Sequence, residues 1–144
     1  MKKKFAMLFM VGLVSSISMP AFAIKQLNDK FVEIYASPDS KDVNDDFKKL
    51  VKEAKCNVCH IQGENKKKRN PFGEAMHEAI EEAKFPTKEF GKEPAKFADQ
   101  VKDIFKKVVD QKAGTTDKTY AERMKAGELP GGDKEGKGLP AAAK

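Results

Sequence analysis

The chain carries few residues capable of chemistry. Its 144 residues include two cysteines and two histidines, and no serine, histidine and acid stand at a recognisable triad spacing. Hydrolytic catalysis therefore has no visible machinery. Alternating apolar and polar runs that would mark strands are lacking, and so is any internal repeat. The longest apolar run, Phe5 to Met19, falls short of the ~20 residues a membrane-spanning helix needs. No cysteine follows it that could be lipidated.

What is present begins with a leader. Lys2, Lys3 and Lys4 precede the apolar run, and Pro20 with Ala21 and Ala23 supplies the small residues of a cleavage site. The pattern predicts a secretory signal peptide over 1–23, cut after Ala23, and a periplasmic or secreted protein with no membrane span after cleavage. The cut removes three lysines and no acid, so the net charge falls from +6 to +3. A charge that small in an exported protein does not suggest a nucleic-acid partner. The remaining 121 residues suffice for one small domain with a modest core.

Periodicity predicts an all-α fold of about four to five helices. Leu27, Phe31 and Ile34 mark a helix over Gln26 to Ala36. Val43, Phe47, Leu50, Val51 and Ala54 form one stripe in a helix over Asp42 to Lys55. Asn70 suits an N-cap and Pro71 the first helical position, opening a helix whose face holds Phe72, Ala75, Met76, Ala79, Ile80 and Ala83. Further helices are expected over Pro94 to Val109 and Thr119 to Ala126. From Glu128 on, glycine, proline and lysine dominate. The domain is therefore expected to occupy 24–127, with 128–144 as a flexible tail.

Both cysteines lie in "CNVCH", Cys56 to His60, directly after the second helix. An exported protein usually spends a cysteine pair on a disulfide, but this one would close so small a loop that it removes little chain entropy. A thioredoxin-like redox pair needs a strand before it, where here a helix stands. Zinc would need further ligands, and only His77 remains. The Cys-x-x-Cys-His form itself reads as a c-type haem attachment site. Two thiols three residues apart reach the two vinyl groups along one porphyrin edge, and the next residue offers its imidazole to the iron.

On "CNVCH", the helix leading into it and the export signal, the chain resembles a small, soluble, mono-haem c-type cytochrome. The resemblance implies a cytochrome c-like helical domain around one covalent haem c, with thioethers at Cys56 and Cys59 and His60 as proximal ligand. It implies a one-electron carrier rather than an enzyme. Such carriers usually place a methionine on the other side of the iron. Three candidates exist, and chain reach excludes none of them. Met124 is favoured, beside the glycines and proline of "RMKAGELPGG", although no amphipathic helix follows it. His77 is the alternative, and Met76 reads first as a core filler. An open sixth position is the fourth option, and it would make the protein a binder or sensor of small ligands or peroxide.

The run Lys66, Lys67, Lys68 and Arg69 is the densest charge cluster after the leader. It reads as a solvated loop, or as a docking patch for acidic redox partners near the haem edge.

Overall fold

A computed structural model describes residues 21–141. The expected leader lies outside the described residues except for its last three positions. The fold is all-α, with six α-helices and no strand among the described residues. They are α1 (Ala21–Tyr35), α2 (Asp45–Ala54), α3 (Pro71–Glu82), α4 (Thr87–Lys92), α5 (Ala98–Val109) and α6 (Tyr120–Lys125). No described helix is long and apolar enough to cross a membrane.

Side-chain caps set several boundaries. Asn44 accepts from the Phe47 amide at 2.9 Å, so α2 opens later than its apolar stripe suggests. Asn70 caps α3 by accepting from Gly73 N at 2.9 Å, with Pro71 in the first turn as expected. Thr119 and Glu122 form a reciprocal capping box at α6.

Two differences from the sequence pattern concern helices. The stretch Pro94–Phe97 is a tight 3-10 turn, and α5 starts only at Ala98. α4 has no counterpart in the sequence pattern. It is six residues long and sits between Pro86 and Pro94, but it buries Phe90 completely.

The core is built from phenylalanine. Phe31 of α1 meets Phe72 of α3 and Phe105 of α5 at ring-centroid separations of 5.6 and 5.8 Å. Phe72 in turn meets Tyr120 of α6 edge-on at 5.1 Å. Such tilted contacts add roughly 0.5–1.5 kcal/mol each beyond area burial. Four helices are thereby tied to one aromatic centre.

The largest correction concerns the stretch after Glu128, which is not a loose tail. Leu129, Pro130, Gly131 and Gly136 are all buried. The Arg123 guanidinium donates twice to the Leu129 carbonyl, at 3.2 and 3.1 Å, and its Nη1 pairs with Glu128 at 2.8 Å. Asp133 then closes a tight turn by accepting from the amides of Glu135 and Lys137 at 2.8 and 2.9 Å. The glycines here serve close approach between backbones rather than flexibility.

Candidate functional site

α2 ends at Lys55, whose φ of 52° is a backbone conformation that non-glycine residues seldom adopt. The chain turns there into the 3-10 segment Lys55–Val58. Cys59 N and His60 N both donate to the Cys56 carbonyl, at 3.2 and 3.0 Å. This tight coil brings Cys56, Cys59 and His60 to one cavity of about 330 Å³. Leu27 and Phe31 from α1, Met76 and Ile80 from α3, and Phe105 from α5 give it apolar walls. The volume falls within the usual range for small-molecule sites.

Asn70 holds the coil from below. Its side chain is fully buried, and its Nδ2 donates to the carbonyls of Asn57 and Val58, each at 3.0 Å. Its backbone N–H donates to Cys59 O at 3.0 Å. Gly73 packs so tightly on the coil that a Cβ there would lie 2.0 Å from Cys59 O. The first turn of α3 and the cysteine coil are thus one unit.

Both thiols are free, with Cys56 exposed and Cys59 half-buried. Burial pushes the Cys59 thiol up to about 12, with Cys56 adding to the shift and Arg69 opposing it. A redox or catalytic thiol needs the opposite shift, which disfavours Cys59 as a nucleophile. Burial holds the His60 imidazole below its ordinary pKa, which the Lys68 backbone counteracts and Arg69 and Lys66 reinforce. The ring is therefore neutral at pH 7, the state that donates to a metal. Its Nδ1 is buried without a hydrogen-bond partner.

These features fit a haem at the site. An imidazole with a buried, unpartnered nitrogen borders an apolar cavity that both thiols also border. Zinc fits poorly, because among the described residues no three His, Cys, Asp or Glu side chains gather as a donor set.

The candidates for the second axial position separate clearly. Met124 is buried in the core on α6 beside Tyr120 and does not border the cavity. The Tyr120 contact with Phe72 turns this face of α6 toward the core. Met76 is 5 % exposed and does border it, because Phe72, Met76 and Ile80 share the inner face of α3. His77 borders it as well, but is half-buried with its Nε2 3.4 Å from Glu81 Oε1.

Of the basic run, Lys66 and Arg69 reach the cavity, while Lys67 and Lys68 are exposed. Lys68 pairs with Glu64 at 3.1 Å and Arg69 with Glu74 at 3.6 Å. Sequence reasoning missed the α1 wall, the second role of Asn70 and the cover provided by 128–138. The spacing of Leu129 and Pro130 before four glycines was the available signal for the last.

No family model, curated protein or solved structure matches this chain.

Proposed function

We propose that this is an exported mono-haem c-type cytochrome that carries single electrons, with haem c held by thioethers at Cys56 and Cys59 and by His60. The observation that carries the reading is the shared cavity: both thiols and a neutral imidazole border one apolar pocket. When bound, the haem supplies an iron that alternates between ferric and ferrous. The chain supplies the rest. Phe31, Ile80 and Phe105 exclude water from the pocket, and the imidazole of His60 donates its lone pair. Lys66 and Arg69 bring positive charge to the pocket, where with Lys67 and Lys68 they favour acidic redox partners at low salt.

For the second axial ligand, the placement of Met76 on the cavity supports it over Met124. A thioether there raises the reduction potential relative to a second imidazole. One observation favours a second reading, a small-ligand or peroxide-reactive haem protein with an open position. The favoured sequence candidate, Met124, lies away from the pocket, and His77 is engaged by Glu81.

Optical spectra of the ferric and dithionite-reduced protein, with and without carbon monoxide, test both readings. The carrier reading expects covalent haem, a six-coordinate low-spin spectrum and little reaction with carbon monoxide. High-spin ferric haem with fast carbon monoxide binding would favour the open-site reading, and absence of covalent haem would overturn both.

A further inference from the structure

The coil Cys56–His60 is gripped from two directions, and neither grip belongs to the haem-binding motif itself. On one side stands Asn70, whose Nδ2 occupies the carbonyls of Asn57 and Val58 while its amide occupies that of Cys59. On the other lies the stretch 129–138, rooted by Leu129 in the core and by Arg123 on the Leu129 carbonyl. Its tip touches the coil directly. Gln62 N donates to Glu135 O at 2.8 Å, and Asn57 Nδ2 donates to Lys134 O at 3.3 Å.

Two glycines make the approach possible. A Cβ at Gly136 would lie 1.9 Å from the His60 carbonyl oxygen and 3.0 Å from that of Asn57. A Cβ at Gly131 would lie 2.1 Å from Asn70 Nδ2, so the two grips also touch each other. We infer that Asn70 and the segment 129–138 form a clamp that fixes the path of the cysteine coil and thereby the direction of the His60 imidazole. Asn70 and Gly136 are positioning residues in this scheme. The part concerning His60 and iron rests on the cytochrome reading, whereas the part concerning the coil does not.

The physical reason is that a ligand's angle and distance to a metal are set by what holds the ligand. His60 has no side-chain hydrogen bond at Nδ1 to orient it. Its orientation is set by the hydrogen bond between the imidazole and the Lys68 backbone and by the path of its own backbone, which is packed beneath Gly136.

The glycines also supply the control. Gly136 and Gly138 both have positive φ, 73° and 85°, so alanine is strained at either. At Gly138, however, an added Cβ meets nothing within 4 Å. Comparing Gly136→Ala with Gly138→Ala separates collision with the coil from backbone strain. Asn70→Ser gives a second route, since serine keeps an N-cap oxygen for α3 but cannot bridge the two carbonyls.

The full chain carrying its haem is examined by midpoint potential, by the electron paramagnetic resonance of the ferric iron and by amide exchange. Gly136→Ala and Asn70→Ser should shift potential and resonance away from wild type, while Gly138→Ala leaves both unchanged. Exchange at Gln62 should rise roughly tenfold in Gly136→Ala, the loss of about one hydrogen bond. If Gly136→Ala fails to fold, Asn70→Ser decides alone. Potentials and resonances equal to wild type in Asn70→Ser and Gly136→Ala would overturn the clamp, as would a Gly138→Ala shift as large as that of Gly136→Ala. If the wild type carries no covalent haem, the cytochrome reading fails, and exchange at Gln62 and Asn70 still decides whether the coil is clamped.

Discussion

Met76 and His60 border the same cavity, one from the inner face of α3 and the other from the coil just before that helix. Met124 sits in the core away from it. Replacing either methionine by alanine removes buried volume and should cost about 2–5 kcal/mol in urea unfolding. Only Met76→Ala should also change the ferric spectrum and lower the midpoint potential. An unchanged Met76→Ala spectrum alongside an altered Met124→Ala spectrum would reverse the assignment.

His77→Ala separates a bis-histidine centre from the alternatives. Its Nε2 faces Glu81 at 3.4 Å, so its removal should end that contact and leave the haem spectrum intact. Exposed helix pairs of this kind contribute only about 0.3–0.5 kcal/mol, so the melting temperature should barely move.

The proposed covalent attachment is checked by mass spectrometry of the purified protein. Cys56→Ser and Cys59→Ser should each leave one thioether, and the double substitution should release the haem under denaturing extraction. A double variant that retained haem through acid extraction would remove the motif from the account.

The Thr119 and Glu122 capping box starts the helix that buries Tyr120 and Met124. Thr119→Ala should cost about 1 kcal/mol by thermal or urea unfolding. Because α6 lies away from the cavity, the ferric spectrum should stay as it was.

Alkaline pH tests the aromatic packing. Burial first, and the Asp110 carboxylate second, push the Tyr35 phenol up to about 12 from an ordinary value of 10.0. Below pH 10 the phenol is neutral in both folded and unfolded chains, and its contribution to stability is fully present. Between about pH 10 and 12 the unfolded chain ionises first, so stability falls as pH rises. Tyr35→Phe should flatten that decline in melting temperature. Burial also raises Tyr120, which leaves a residual slope.

Much of the helical frame can be read along the chain because its signals are local. Asn70 and Pro71 announce α3, and the stripe through Phe72, Met76 and Ile80 faces inward as periodicity requires. α4 escaped because six residues between prolines carry one phenylalanine, too few for a period. Which of Met76 and Met124 borders the cavity is hidden from the sequence for a different reason. Linear separation from His60 says how far a residue can reach, but the face of α6 is set by Tyr120 packing on Phe72. Composition misled over 128–138, since glycine for freedom and glycine for contact look alike in one dimension.

The glycine-rich ending also bears on how the protein tolerates shortening. A chain cut at Gly127, just past the end of α6, would keep every residue of the Cys-x-x-Cys-His motif. It would nevertheless open Asn70 to water, free the Gln62 amide and expose the carbonyl of His60 to proteases and solvent. The part of the molecule that looks most expendable by composition is the roof over its cysteine coil.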